Sequence, residues 1–382
     1  MNSSSTSKTT RFASFVSRRQ FMNLTFAGVS CAALLVFPGK VLAQESQNLQ
    51  LVTDCLGRKL EIPFGPLAVS PTGTPAQTLL TILAPDMMYS VATKISNDAY
   101  CYANAGLSKV TNLPETDSVT RSSYEETARK LKAIAPTLII DAGSKQEELY
   151  GELDLLQNNL SVPVFFVDIS FGQLPEALRT LGAVLGCSDR ASELAQWVER
   201  ALLLSDFSKF NATNTPTVFY APRENGTMVH HGINVQLDAL IHAGAIPVTS
   251  AYNFDSASVD FNSLLAEHPD FIMFDDVEML RQLRLCTGDG YKAWCELPAI
   301  TKGYSFISPA LMHSWLGSPV FVQCIGALWL ANMIHPKECS FDLIEETRDF
   351  YSLFYGLELD SDSLNGLVGM CLKEREGIDF YE

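Results

Sequence analysis

The histidines of this 382-residue chain stand at positions 230, 231, 242, 268, 313 and 335, and they raise the question of metal chemistry first. A bare divalent ion needs three or four converging ligands, and adjacent side chains such as His230 and His231 rarely aim at one point. Together with His313, the pair is therefore better suited to touching a bound complex, as an axial or hydrogen-bonding contact, than to caging a naked ion. His268 and His335 each precede a proline at an expected helix end, where a cation favours the helix dipole and the role is structural. Arg223 shares an expected loop with Pro222 and Gly226, and its guanidinium has the fork geometry that clamps a carboxylate or another oxyanion. Lys145 is a weaker second cation. Tyr100, Tyr124 and Tyr220 offer aromatic surface, and a tyrosine can also ligate ferric haem iron.

Covalent chemistry has less support. No nucleophile stands with a base, and Gly-x-Gly occurs only at Gly288-Asp289-Gly290, with no phosphate-cradling helix pattern after it. Beyond residue 43 the cysteines are 55, 101, 187, 286, 295, 324, 339 and 371, with no Cys-x-x-Cys spacing, which argues against a zinc ribbon or an iron–sulfur cluster. Their even number permits disulfides, with Cys286 and Cys295 closing the shortest loop. The alternative is that most are small buried apolar residues.

These residues must be positioned by elements that the apolar pattern reveals. Strands are expected at 67–70, 137–140 and 162–167, with helices at 76–83 and 124–135; the strands are apolar throughout and separated by helices, which indicates a parallel sheet covered on both faces. A second stretch repeats the rhythm, with strands at 217–220, 271–274 and 303–307 and helices at 235–243 and 259–267. Between them, residues 174–206 carry leucines, alanines and Trp197 at helical spacing, read as a single long connecting helix or the same helix in two pieces broken near Gly186-Cys187-Ser188-Asp189, with Ser188 or Asp189 as a cap. The expected fold class is α/β, with two Rossmann-like lobes of parallel sheet. The expected divisions are a leader at 1–43, a first lobe at 44–172, the connector at 173–208 and a second lobe at 209–382. Ligands of such lobes gather where strands end and loops begin, so the ligand cleft is expected between the lobes. The loops at 71–75, 100–107, 121–124, 141–145, 221–231, 275–276 and 308–318 would line it.

Charge narrows the partners. The formal net charge is -16, yet the first 43 residues hold five cations and no acid, leaving 22 cations against 43 acids in the remainder. Such a body repels nucleic acid backbones and anionic lipid. The leader has its own logic: Ser17-Arg18-Arg19-Gln20-Phe21-Met22-Asn23, an apolar run over 24–37, then Val41-Leu42-Ala43. It resembles a twin-arginine signal peptide, which sends folded proteins out of the cytoplasm. Cys31 within the run offers lipidation as a minor alternative. No other segment approaches 18 consecutive apolar residues.

Four segments carry a wider resemblance. Asp54-Cys55-Leu56-Gly57-Arg58-Lys59-Leu60-Glu61-Ile62-Pro63 looks like an opening "D-x-x-G-R-x-V-x-I-P" hairpin. Lys132-Ala133-Ile134-Ala135-Pro136-Thr137-Leu138-Ile139-Ile140 is similar to "L-K-P-D-L-I-I", with Thr137 replacing the acid, and Ala266-Glu267-His268-Pro269-Asp270-Phe271-Ile272 is its second-lobe copy. Leu328-Trp329-Leu330-Ala331-Asn332-Met333-Ile334-His335-Pro336 and Phe350-Tyr351-Ser352-Leu353-Phe354-Tyr355-Gly356 complete the set. In this order, across residues 53–356, the chain resembles the helical-backbone class of ABC-importer solute-binding proteins for iron complexes, haem and cobalamin.

The resemblance implies an extracytoplasmic binding protein, not an enzyme, that delivers a ferric siderophore, haem or a corrinoid to an ABC permease and its ATPase. It would have no catalytic cofactor and a metal chelate as ligand. The protein is expected to be a monomer with no nucleic acid partner. The family places a tryptophan facing the cleft, which maps to Trp315, and permease-docking acids on each lobe. Asp238 fills that place in the second lobe, while Pro75-Ala76-Gln77-Thr78 has no acid in the first. Alternatives are a binding protein for molybdate, tungstate or another metal species, an exported cofactor enzyme, and a sensor subunit.

Overall fold

The chain enters its body through an antiparallel hairpin, β1 (Leu49–Thr53) and β2 (Lys59–Pro63). In β2, Leu60 and Ile62 are buried while Lys59 and Glu61 are exposed, the period-two pattern of a strand with one face inward. The intervening turn needs Gly57 at φ +85° and is held by a buried ion pair, with Arg58 Nη2 2.6 Å from an Asp54 oxygen. Arg58 Nη2 also donates to the Val164 carbonyl at 2.6 Å, and Nη1 to Asp154 at 3.1 Å, so the turn is bolted to the first sheet. Removing one partner of such a pair costs roughly 3–5 kcal/mol, because the other charge stays buried.

The computed structural model describes residues 49–65, 67–94, 110–119, 124–210, 212, 214–221, 233–249, 252–253, 258–274, 294–317 and 319–369. Gln47–Glu382 forms one compact unit and Met1–Ser46 another; the expected leader lies outside the described residues.

In the first lobe the order is β3 (Val69–Pro71), α1 (Thr74–Leu83), α2 (Tyr124–Ile134), β4 (Leu138–Gly143), α3 (Glu148–Leu160) and β5 (Val164–Asp168). Among the described residues the sheet runs β3–β4–β5, all parallel, with Val69 opposite Leu138 and Ile139 opposite Val164. Its strands are apolar throughout because both faces are covered. Leu138, Ile140, Phe165 and Val167 join the main core, whereas Ile139, Val164 and Phe166 pack with Leu131, Leu153, Leu156 and Leu160 on the other side.

The connector takes the two-piece form: α4 (Leu174–Leu185) and α5 (Ser188–Ser205) fold back on each other as a helical hairpin. Gly186, at φ +71°, ends α4 in the left-handed conformation that favours glycine. A Cβ on Gly182 would lie 2.1 Å from that of Ala191, so the crossing requires glycine, and Arg179 grips Glu199 at 2.6 and 2.7 Å. The cap differs from expectation. Cys187 occupies that position without a side-chain cap bond, and Ser188 and Asp189 lie inside the first turn, where the Asp189 charge suits the dipole.

The second lobe contains β6 (Thr217–Ala221), α6 (Ile233–His242), β7 (Ile246–Pro247), a short antiparallel pair β8 (Tyr252–Asn253) and β9 (Ser258–Val259), α7 (Phe261–Glu267), β10 (Phe271–Phe274), α8 (Pro298–Thr301) and β11 (Ser305–Ile307). Its parallel sheet has the order β11–β10–β6–β7. The helix expected from residue 259 starts two residues later, because Asp260 caps it by accepting the Asn262 N–H at 3.1 Å and the Ser263 hydroxyl at 2.7 Å. The two helix-to-strand turns are pinned by different chemistry. In the second lobe Asp270 accepts the Thr217 N–H at 2.8 Å and its hydroxyl at 2.9 Å; in the first lobe Thr137, standing where the acid is expected, accepts the Ala68 N–H at 2.8 Å.

Three helices close the described chain: α9 (Val322–Ile334), α10 (Leu343–Tyr355) and α11 (Ser361–Leu364). Every residue of α9 except Asn332 is buried, so it has no polar face, and it packs against α5, α6 and α10. No described helix is long and apolar enough to cross a membrane. One expectation is corrected here. His335, at the end of α9, is only 2% exposed and lies against the rings of Phe207 and Phe210, with centroids 4.9 and 5.8 Å away. Burial pushes its imidazole below the ordinary histidine range, so it serves as an uncharged packing residue rather than a cation on the helix dipole.

Candidate ligand-binding site

In the first lobe the strand ends meet at Thr72 and Asp141. Thr72 follows β3: its N–H donates to the Ile140 carbonyl at 2.9 Å and its carbonyl accepts the Val119 N–H at 2.7 Å. Its hydroxyl donates to Asp141 Oδ1, in β4 two residues before the strand ends at Gly143. Burial pushes the half-buried Asp141 carboxyl above its ordinary value, while the Thr72 hydrogen bond draws it back. Gly73 then caps α1, and Pro75 occupies the first turn, where its missing N–H costs nothing. One turn on, Gln77 is only 3% exposed. Its Oε1 accepts the N–H groups of Ala92 at 2.7 Å and Thr93 at 3.0 Å, and its Nε2 donates to the Thr93 carbonyl at 3.0 Å. The stretch that lacks a docking acid thus carries an interior brace for the 91–94 loop.

In the second lobe the loop after β11 closes on itself. The Ser308 N–H donates to the Phe274 carbonyl at 2.7 Å, while the Ser308 hydroxyl oxygen accepts the Leu316 N–H at 3.2 Å and the Ser314 hydroxyl at 3.0 Å. Trp315 anchors the loop from within the core. It is 0% exposed, its indole N–H donates to the Tyr351 hydroxyl at 3.0 Å, and burial pushes that phenol up to about 12. Its carbonyl would lie 2.2 Å from a Cβ on Gly326, so α9 approaches the loop only because residue 326 is glycine. On the outer flank, Leu311 is 43% exposed and joins Leu357, Leu359 and Leu367 around a cavity of about 550 Å³.

The expected site residues fall into three groups. Trp315 and Tyr220 are corrected from aromatic faces open to ligand to core residues. Both are fully enclosed, Trp315 because sealing a large indole with its N–H satisfied gains more than leaving it wet, Tyr220 because it sits in β6 of a sheet covered on both faces. His313 is half-buried on the closed loop, and burial lowers its pKa towards the neutral ring. Asp238 is exposed on α6, its carboxyl pushed up by partial burial, and Lys145 is exposed after β4. Tyr100, Arg223, His230 and His231 lie outside the described residues, as does the Tyr124 side chain, although Tyr124 opens α2.

Among the described residues, no three His, Cys, Asp or Glu side chains group to hold a metal ion. Cys286, the expected partner of Cys295, lies outside them. Burial raises the thiols of Cys55, Cys187 and Cys324, as expected for cysteines used as small apolar residues. Asp141, Thr72 and Gln77 were not singled out by sequence. The available signal was Asp141 itself, an acid ending the apolar run Leu138-Ile139-Ile140.

The profile of the family described as "Periplasmic binding protein" matches residues 69–290. Among curated proteins, none matches the chain in sequence. Solved structures do. An ABC transporter solute-binding protein from Sulfurospirillum deleyianum is 18% identical, with 84% of this chain and 99% of that one covered at a TM-score of 0.69. A periplasmic solute-binding protein from Veillonella parvula is 15% identical, with 87% and 100% covered at 0.65. The molybdate periplasmic binding protein MolA of Haemophilus influenzae, solved with molybdate bound, is 16% identical, with 81% and 99% covered at 0.59. At these identities the likeness is one of fold.

Proposed function

From a chain that belongs to the periplasmic binding protein family, and is therefore a solute-binding protein rather than an enzyme, we propose the capture subunit of an ABC importer for a metal chelate: a ferric siderophore, haem or a corrinoid. The observation that carries this reading is the pair of parallel sheets, one with Thr72 bonded to Asp141 near its strand ends and the other followed by the closed 308–317 loop, with a helical connector between them in sequence. Helices bend less than paired strands or loops, so capture involves small lobe movement. Arg223, with His230 and His231 on the same loop, supplies the positive and hydrogen-bonding groups that an acidic body needs to hold an anionic chelate. Tyr100 and Tyr124 supply aromatic surface, and His313 a neutral imidazole. Trp315 and Tyr220 contribute through packing in the core. Asp238 is the docking contact for the permease, and the leader at 1–43 directs export.

The second reading is a compact oxyanion. It rests on the molybdate bound in the fold-similar MolA protein and on the same Arg223. Both readings are tested by calorimetry of the purified protein against a ferric catecholamide, a ferric hydroxamate, haem, cobalamin and molybdate. One metal chelate is expected to bind, and Arg223→Ala to weaken it roughly tenfold through loss of a charge-assisted contact. Binding of molybdate alone would favour the second reading, and silence across the panel would sink both.

A further inference from the structure

Resting on the capture reading above, we propose that Asp141 is the ligand-facing acceptor of the first lobe, and that it selects ligands presenting hydrogen-bond donors or positive charge there against compact oxyanions. Its place is the first argument. Asp141 follows the buried part of β4, the central strand, opposite Phe166 and two residues before the C-terminal end of the strand, towards which ligands of parallel sheets gather.

The second argument is its lack of a structural task. Four other acids in this body hold structural hydrogen bonds: Asp54 with Arg58, Asp270 with Thr217, and Asp260 and Asp342 as helix caps. The neighbouring strand end makes the contrast sharp. Asp168, closing β5, accepts both the N–H and the hydroxyl of Ser170, at 3.0 and 2.6 Å, and so shapes its own turn. Asp141 caps nothing, pairs with no cation among the described residues, and holds one neutral hydroxyl donor on Oδ1. Oδ2 has no partner there, and it is not among the sealed polar atoms. A carboxylate with one oxygen held by a neutral hydroxyl and the other open has room for a second donor. An amide N–H, hydroxyl or ammonium on a ligand supplies one; a molybdate-like dianion offers only acceptors and like charge.

The contact also has a direction in pH. Burial raises the Asp141 carboxyl, the Thr72 bond and Arg58 from the β1–β2 turn oppose that rise, and Glu152 from α3 adds to it. The carboxylate, and with it the acceptor, is present above this raised value and lost as pH falls through it. Donor-bearing ligands therefore bind more weakly on acidification, and oxyanions more strongly.

The test is calorimetry on wild type, Asp141→Asn and Thr72→Val, each checked for folding by circular dichroism, with a ferric catecholamide (amide N–H donors), cobalamin and molybdate, across a pH series. For the chelate that wild type binds, Asp141→Asn is expected to weaken affinity roughly tenfold and flatten the pH profile. Thr72→Val should keep the affinity at high pH and move the midpoint upward, a shift that a merely structural carboxyl would not produce. A change below twofold in Asp141→Asn with chelate binding intact overturns this inference alone. If wild type binds none of these three probes but binds haem or the ferric hydroxamate of the earlier panel, this inference alone falls; if it binds only molybdate, or nothing in that five-ligand panel, the capture reading falls and this inference with it.

Discussion

The two lobes solve the same problem, how to end a parallel strand at a working surface, with opposite materials. The first lobe ends in polar groups: Thr72 bridges to Asp141 and Gln77 stitches the 91–94 loop. The second lobe ends in a loop sealed from below, where Trp315, Tyr351 and Gly326 fill the space and the outward residues are Leu311 and His313. Polar pins can be altered one at a time without collapsing the lobe. A buried indole cannot, because packing and hydrogen bonding meet in one side chain. The contrast is between separate polar pins in the first lobe and one shared buried anchor in the second.

The hardest blow to this contrast is Trp315→Ala. Emptying a fully buried tryptophan costs roughly 3–5 kcal/mol; chemical denaturation should register it as a whole-body loss, with ligand affinity falling because the 308–317 loop loses its anchor. A stable variant with unchanged affinity would mean that the loop holds itself. Gln77→Ala strips the acceptor from two N–H groups in the first lobe and should cost about 1–3 kcal/mol. Here hydrogen exchange should quicken at Ala92 and Thr93 and leave the Trp315 loop unaffected; quickening in both places would erase the distinction between local pins and a shared anchor. The smallest effect is at the joint beside Phe207. His335 titrates near 6.5 in the unfolded chain and lower when buried, so the unfolded state takes up more protons and stability falls as pH drops below about 6.5. His335→Phe should shallow that slope in pH-dependent thermal melts, leaving the part due to His313, which burial shifts in the same direction.

How much of this was legible depended on the range of the interaction. Leu138-Ile139-Ile140 read correctly as a doubly covered strand because both faces of a parallel sheet are buried, and Gly186 marked the break in the connector through its own backbone preference. The four motifs fell on the elements they implied, down to the hairpin turn at Gly57. What stayed hidden lay between distant residues. Arg58 reaches Val164, Thr72 reaches Asp141, and Gln77 faces a loop whose course nothing in Pro75-Ala76-Gln77-Thr78 announces. Trp315 was placed on the right loop but on the wrong side of it, since position along a chain says nothing of whether a ring points up or down.

The all-buried character of α9 bears on how the protein is made. This helix lies near the C-terminal end of the sequence, yet it covers an apolar face of α5, whose residues are synthesised more than a hundred positions earlier. Until the ribosome has passed Ile334, the face of α5 that meets α9 lacks its cover, Trp197 waits longer still for Phe350 and Phe354 of α10, and the nascent chain carries exposed apolar surface that invites aggregation or a chaperone. Stop codons before residue 322 should therefore yield insoluble fragments even though the whole first lobe would already be present.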